Sequence, residues 1–266
     1  MTDLKRLDEA LSKYVRPETF PLAIRMVRHG EPVPEKTKRP FRDLKVQITT
    51  CMGYTMARRY GWAMAMSHGD ISCPLSKVVH GFEEEVDYFK EGCTCEGMYT
   101  ATKEAGARTE AAIAKFSWKE YETILCAPLQ RADFDPQVVV VYGNSAQVML
   151  LVVATLFKEG GRITSSFAGR IDCSDSVIQT LQTSRPQVIL PCYGDRVFGQ
   201  TQDYEMGFSF PSSLDANIIE GLEGAHKGGV RYPVPTYLRY QPAYPPSYMK
   251  LEEIWASQRG DTPSGK

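Results

Sequence analysis

Apolar and polar positions along the chain change period several times, and each change marks an element. Residues 4–14 (LKRLDEALSKY) carry apolar side chains at helical spacing and predict an amphipathic helix. PLAIRMV (21–27) reads as a strand, and the charged, Pro-rich EPVPEKTKRP (31–40) as a loop. The pattern is helical from about Gln47 to Tyr60, WAMAM (62–66) predicts a short strand, and 67–75 a polar loop ending in Cys73-Pro74. The Ala-rich stretch 99–116 predicts a helix. ETILCAPL (122–129) and QVVVVYG (137–143) read as strands, and the β-branched run of the second points to burial on both faces. SAQVMLLVVATLFKEGG (145–161) is a helix closed by glycines. Beyond it RITSSFAG (162–169) reads as a strand, DSVIQTLQ (175–182) as a short helix and QVILPC (187–192) as a strand. EMGFSFP (205–211) alternates like a strand, and SSLDANIIEGLEGAHKGG (212–229) predicts a capped helix. The tail YPVPTYLRYQPAYPPSYMK (232–250) is rich in Pro and Tyr and is expected to wrap the surface.

From residue 122 the order is thus β-β-α-β-α-β-β-α. It predicts an α/β or mixed α+β fold, a layered sheet with flanking helices. No internal repeat or linker interrupts the chain. The expected organisation is a single globular domain over 1–240 with an irregular N-terminal part, followed by a C-terminal tail over 241–266.

Composition narrows the class. The chain has 266 residues, 42% hydrophobic and 24% charged, which is ordinary for a globular protein. Its 31 Lys+Arg against 32 Asp+Glu leave a net charge of −1, so electrostatic capture of nucleic acid or an anionic membrane is not expected. The longest apolar stretch, Val148 to Phe157, is too short to cross a bilayer. The polar N-terminus lacks the apolar core of a signal peptide, so a soluble, cytoplasmic protein is expected.

Seven cysteines are present: Cys51, Cys73, Cys93, Cys95, Cys126, Cys173 and Cys192. An odd count without an export signal argues against a disulfide framework. The two most informative stretches are SSFAGRIDCSDS (165–176) and LPCYGDRVFGQTQDYEMGF (190–208). Each follows an expected strand and sets one cysteine among glycines, arginines and aspartates. Strand ends in α/β folds are where ligands bind. Cys173 is expected near a helix N-terminus capped by Ser174 or Asp175, where the dipole would lower its pKa, with Arg170 three residues before it. Cys192 is expected at a strand end; Asp195 and Arg196 beyond it read as a mutual pair, and the polar run through Gln202 and Asp203 as part of the same pocket. Tyr142 and Tyr193 read equally as catalytic or as packing.

Cys51 shares a helical face with Thr55 and Arg58, and Arg58 or Arg59 offers a cation to a thiolate or an anion; a buried cysteine with exposed arginines is the plainer alternative. Cys73 stands before Pro74, as many cluster ligands do, with His68 and His80 on either side as further candidate ligands; a turn cysteine with no special role is the more common alternative. The turn YGNS (142–145) places Asn144 or Ser145 as an N-cap whose free N–H groups suit an anion. No full phosphate-binding glycine motif is present. Cys93 and Cys95 form a Cys-x-Cys in a glycine-flanked loop that could bind a metal or form an oxidation-prone pair, but with no partner pair nearby they read as incidental surface cysteines, and Cys126 reads as core.

VVVVYGNSAQVMLLV, GRITSSFAGRIDCSDSV and PQVILPCYGDRVFGQTQDYEMGFSFP resemble the domain-of-unknown-function family 169. TTCMGYTMARRYG, DISCP and PLAIRMV fit the same resemblance, which spans about residues 20–240. The family is widespread in anaerobic bacteria and archaea and has no assigned reaction. The resemblance implies that Cys51, Cys73, Cys173 and Cys192 occupy family motif positions, whereas Cys93, Cys95 and Cys126 look peculiar to this chain. The anaerobic setting favours an iron–sulfur cluster over zinc.

Four readings follow. The first is an iron–sulfur protein, a [4Fe–4S] cluster on Cys51, Cys73, Cys173 and Cys192 acting in redox or Lewis-acid chemistry on a small anionic substrate. Arg170, Asp172 and Arg196 are then the catalytic candidates, and Arg58, Asn144 and Ser145 the substrate-binding ones. If one iron lacks a cysteine, Cys51 or Cys192 is the one left free. An electron-donor protein and a homodimer are the expected partners. The second reading is a metal-free thiol enzyme with Cys173 as nucleophile. The third is a small-molecule or cofactor-binding protein. The fourth is structural zinc, which leaves the neighbouring arginines and aspartates without a role.

Overall fold

A computed structural model describes residues 3–235 and 242–259. The chain forms two compact units, 1–233 and 234–266. The first unit is mixed α+β, as the order of elements predicts. Its helices are α1 (Leu4–Ala10), α2 (Thr50–Tyr60), α3 (Pro74–Val79), α4 (Asp87–Lys90), α5 (Lys103–Ala112), α6 (Ser145–Leu156), α7 (Gln179–Thr183), α8 (Tyr193–Gly199) and α9 (Asp215–Lys227). Its strands are β1 (Leu22–Val27), β2 (Met64–Ser67), β3 (Thr123–Pro128), β4 (Val138–Gly143), β5 (Gln187–Ile189) and β6 (Met206–Pro211). They form one sheet in the order β2-β3-β1-β4-β6-β5, every neighbour antiparallel.

The period-2 pattern of the strands sorts their side chains into two cores. Ile24 and Met26 of β1, Val138 and Val140 of β4 and Ile124 of β3 face α2, α3 and the helical run at 172–183. Val139 and Val141 of β4 with Phe208 and Phe210 of β6 face α1, α6 and α9. β4 is buried at all six positions, as its β-branched run predicts. The helices are stopped and started by local chemistry. Thr49 caps α2 by accepting from Met52 N, and Gly61 ends it at φ 74°. Asn144 and Gln147 form a capping box at α6.

Three expectations need correction. Residues 162–169 are not a strand; Ser165 Oγ accepts from Val188 N, but the segment makes no ladder. Two glycines precede it and Phe167 is exposed, so its alternation has no buried face to serve. β5 ends at Ile189, and Cys192 directly precedes α8, a helix the pattern did not reveal. In the second unit, Pro246–Arg259 form α10, a helix inside the stretch read only as a Pro- and Tyr-rich tail. Residues 236–241 of that tail, which include Tyr237 and Tyr240, lie outside the described residues.

Candidate functional site

Cys51, Cys73, Cys173 and Cys192 all line one cavity of about 260 Å³. Each comes from the start of a different helix rather than from a strand end. Cys51 is the second residue of α2. Cys73 directly precedes Pro74, which opens α3 and has no N–H to leave unsatisfied. Cys192 directly precedes α8. Asp172 and Cys173 open a helical run that passes through a wide π-type turn, Ser174–Ile178, into α7. The residue before them, Ile171, is buried and held at φ 54°. A β-branched residue in the left-handed region costs on the order of 1–3 kcal/mol, and the surrounding packing must impose it. The strained turn sets Arg170, Asp172 and Cys173 consecutively on the cavity wall.

Burial dominates the electrostatics. It pushes the Cys51 and Cys173 thiols far above their ordinary range and Cys192 up to about 12. Thr49 Oγ1 lies 2.9 Å from Cys51 Sγ and offsets part of that effect. The Cys192 thiol donates to Asp172 Oδ1 at 3.0 Å. Asp172 and Asp195 are both buried, hydrogen-bonded to each other and raised, by burial first. Two carboxyls this close are not both ionised at neutral pH. Thr201 Oγ1 donates to Asp195 Oδ2 at 2.7 Å.

Asp195 is the residue that sequence reasoning missed. It was paired with Arg196, whose Nη1 instead donates to Gln202 O, away from the cavity. Asp195 follows Cys192 by three residues, which is one helical turn once α8 is recognised. Gly199 leaves room for it, since a Cβ there would sit 2.1 Å from Asp195 Oδ1.

Arg170 is 1% exposed and forms a buried ion pair with Glu110, Nη1 to Oε1 at 3.0 Å. Its Cζ lies 4.7 Å from the Tyr99 ring, and both side chains line the cavity. Cys95, expected at the surface, is fully buried, with its sulfur against Arg170 Nη1 and Glu110 Oε1. Glycines make that approach. Gly92 takes φ 81°, and a Cβ on it would meet Ala107 N of α5 at 2.1 Å. The loop from Cys93 to Tyr99 is thereby pressed onto α5.

The remaining sequence candidates lie elsewhere. Arg58 faces away from the cavity, buried between Glu205 (2.7 Å) and Thr201 (2.9 Å), with its Cζ 4.2 Å from the Tyr142 ring. It lines a separate cleft with Arg59 and Glu18. Tyr142 is therefore a packing residue, while Tyr193 is exposed and lines the cavity. Asn144 spends its carbonyl on capping α6 and its amide on Tyr232, and Ser145 is exposed beside it. Gln202 and Asp203 are absent from the cavity wall. His68 is exposed against Glu83, and His80 is buried with Nδ1 on Ser76 O and a pKa lowered by burial to about 4. Neither lines the cavity. Cys126 is core, as expected. Among the described residues no three of His, Cys, Asp and Glu are grouped so as to hold a single metal ion.

Across residues 10–221 the chain matches the family described as uncharacterised ArCR, domain-of-unknown-function family 169, and it belongs to that family. It is 32% identical over 122 residues to MJ0308, an uncharacterised protein of Methanocaldococcus jannaschii. The match covers 46% of this chain and 52% of the relative, so the chain spans about half that protein's length. No solved structure matches. No helix among the described residues is long and apolar enough to cross a membrane.

Proposed function

We propose that in this member of the ArCR family the cavity holds a cysteine-ligated metal centre, a [4Fe–4S] cluster on Cys51, Cys73, Cys173 and Cys192. The observation that carries this reading is that four cysteines from four separate helix starts line one cavity. Thiolates are the usual ligands of iron–sulfur clusters, and the cavity wall offers no imidazole in competition. A structural zinc is closed in by its four ligands. This cavity has roughly twenty times the ~10–15 Å³ that one water needs, which favours a larger group over a single ion.

The nucleophile alternative is weaker. Burial keeps the Cys173 thiol protonated, and Arg170, its expected activator, is already paired with Glu110. Raised thiols are compatible with a metal site because binding displaces their protons. A bound cluster supplies electron transfer or, at an iron without a cysteine ligand, a Lewis-acid position. Cys51 or Cys192 is the cysteine spared in that case. Asp172 accepts the Cys192 hydrogen bond and orients that sulfur, and Thr201 fixes Asp195 beside it. A small anionic substrate, an electron-donor protein, a homodimer and a cytoplasmic setting belong to the same proposal.

Single Cys→Ser changes test it, with iron counted after anaerobic reconstitution. At least three of the four cavity cysteines are expected to be needed for full iron content, while Cys93→Ser retains it. Iron binding indifferent to all four changes would end this reading.

A further inference from the structure

We infer that the basic loop at residues 36–47 is the docking face for a protein with an acidic surface. That this partner feeds electrons to the cavity rests on the metal-centre reading above; the docking face itself does not. Between residues 36 and 47 the chain carries five cations, Lys36, Lys38, Arg39, Arg42 and Lys45, against one carboxylate, Asp43. The whole chain has a net charge of −1, so the excess is local. Among the described residues only Arg42 of the five has a carboxylate partner, Asp43 at 2.7 Å. Arg39, Arg42 and Lys45 line an open groove of about 440 Å³, with Phe41, Gly69 and Asp70.

The loop is held in place from behind. Buried Asp70 accepts from Phe41 N at 2.9 Å and from Ser67 N at 3.0 Å. Lys38 N donates to Ala63 O at 2.7 Å, and Lys38 O accepts from Ala65 N of β2 at 2.9 Å. Asp43 accepts from Arg39 N at 2.8 Å, and Lys45 Nζ donates to Arg42 O at 2.8 Å. A surface fixed in advance loses little entropy when a partner docks. Phe41 and Val46 are 59% and 50% exposed among these cations. Exposed apolar side chains supply the buried contact of an interface, and the charges around them set the choice of partner and the on-rate. Cations without carboxylates of their own call for a partner rich in Asp and Glu. The carboxylates of Asp43 and Asp70 and the near-neutral chain speak against a phosphate backbone, whose capture rests on many cations.

The groove adjoins the cavity. Ile48 pairs with Ile71, and Ser72 N donates to Ile48 O at 2.8 Å. Asp70 lines the groove and Cys73, three residues on, lines the cavity, so the chain holds the two within about 11 Å of each other. An electron carrier seated on the loop is thereby close to a cluster ligand.

The probe is a small acidic electron carrier, a two-cluster ferredoxin, with its carboxylates intact or amidated. Binding to the full chain as purified is read by biolayer interferometry at about 25 mM and about 250 mM salt. Iron is counted on the same samples, so docking and metal content are read separately. Intact ferredoxin should bind, at least tenfold more weakly at the higher salt, and the amidated form should not. Arg39→Glu with Lys45→Glu should weaken binding at least tenfold. Lys5→Glu with Lys227→Glu makes the same change in net charge on α1 and α9, across the sheet, and should alter binding less than twofold. Phe41→Ala should weaken binding at least threefold with the salt dependence unchanged. Circular dichroism checks the folding of each variant. No binding of intact ferredoxin at the lower salt, equal binding of the amidated form, a DNA duplex bound as tightly, or equal losses in the two double variants would overturn the inference.

Discussion

Replacing Glu205 by Gln removes one negative charge from a buried cluster of two arginines. Glu205 is 3% exposed and accepts from Arg58 Nη1 at 2.7 Å, Arg59 Nη2 at 3.1 Å and Gln202 N at 2.7 Å. Arg58, 1% exposed, has no other carboxylate partner among the described residues, so the change leaves a buried cation without its counter-charge and turns an amide NH₂ toward a guanidinium. Breaking a buried pair from one side costs about 3–5 kcal/mol. With a urea dependence of about 3 kcal/mol per molar, the midpoint should fall by roughly 1–1.7 M at pH 7. Burial alone would raise the Glu205 pKa, but the Arg58 and Gln202 hydrogen bonds bring it net below its ordinary value. Its contribution is therefore present above the ordinary carboxylate range and is lost as pH falls through the lowered folded-state value. The gap between parent and variant should narrow on acidification. A further Arg58→Met change should restore part of the loss, because the stranded cation is then gone. A midpoint shift corresponding to less than about 1 kcal/mol, or a gap that does not change with pH, would refute this assignment of the cluster.

Three other outcomes are expected. Burial lifts Asp175 to about 7, so the folded protein holds a proton there that the unfolded chain releases near pH 4. Stability should fall as pH rises across that window, with Asp175 contributing at most about 4 kcal/mol, and Asp175→Asn should make the slope shallower, leaving the part due to Asp172 and Asp195, in urea titrations at stepped pH. Gly221→Ala should destabilise by about 1–3 kcal/mol despite its better helix propensity, because the new Cβ would lie 2.0 Å from Ala154 O where α9 crosses α6; a neutral or higher melting temperature would contradict this. In metal-free protein at pH 7, mass-spectrometric alkylation should label the partly exposed Cys93 well before Cys173. Rapid labelling of Cys173 would revive the nucleophile reading.

The elements that were legible in the chain are those with a strong period and a long run. β4, β6, α2 and α9 fall where the pattern sets them, within a few residues. α8 was hidden because it has seven residues, two of them glycine, and exposes Val197 and Phe198, so it has no apolar stripe to read. The four cavity cysteines were legible individually, through turn chemistry and charged neighbours. Their convergence was not, because it depends on four helix starts meeting across the sheet's face. Periodicity placed Arg58 on the face of Cys51 and Thr55, and it does lie on the side of α2 that meets α8 and the segment after it. Its partner Glu205 is 147 residues away and left no local signal. Cys95 misled for the opposite reason: glycines on either side suggest a loose loop, but Gly92 and Gly106 exist to let that loop pack tightly.

The most direct test of the metal-centre proposal is iron and acid-labile sulfide analysis, with an absorption spectrum, on protein purified without oxygen. About four iron and four sulfide per chain, with broad thiolate-to-iron absorption, is the predicted result. Protein that stays colourless and free of iron after anaerobic reconstitution would contradict it.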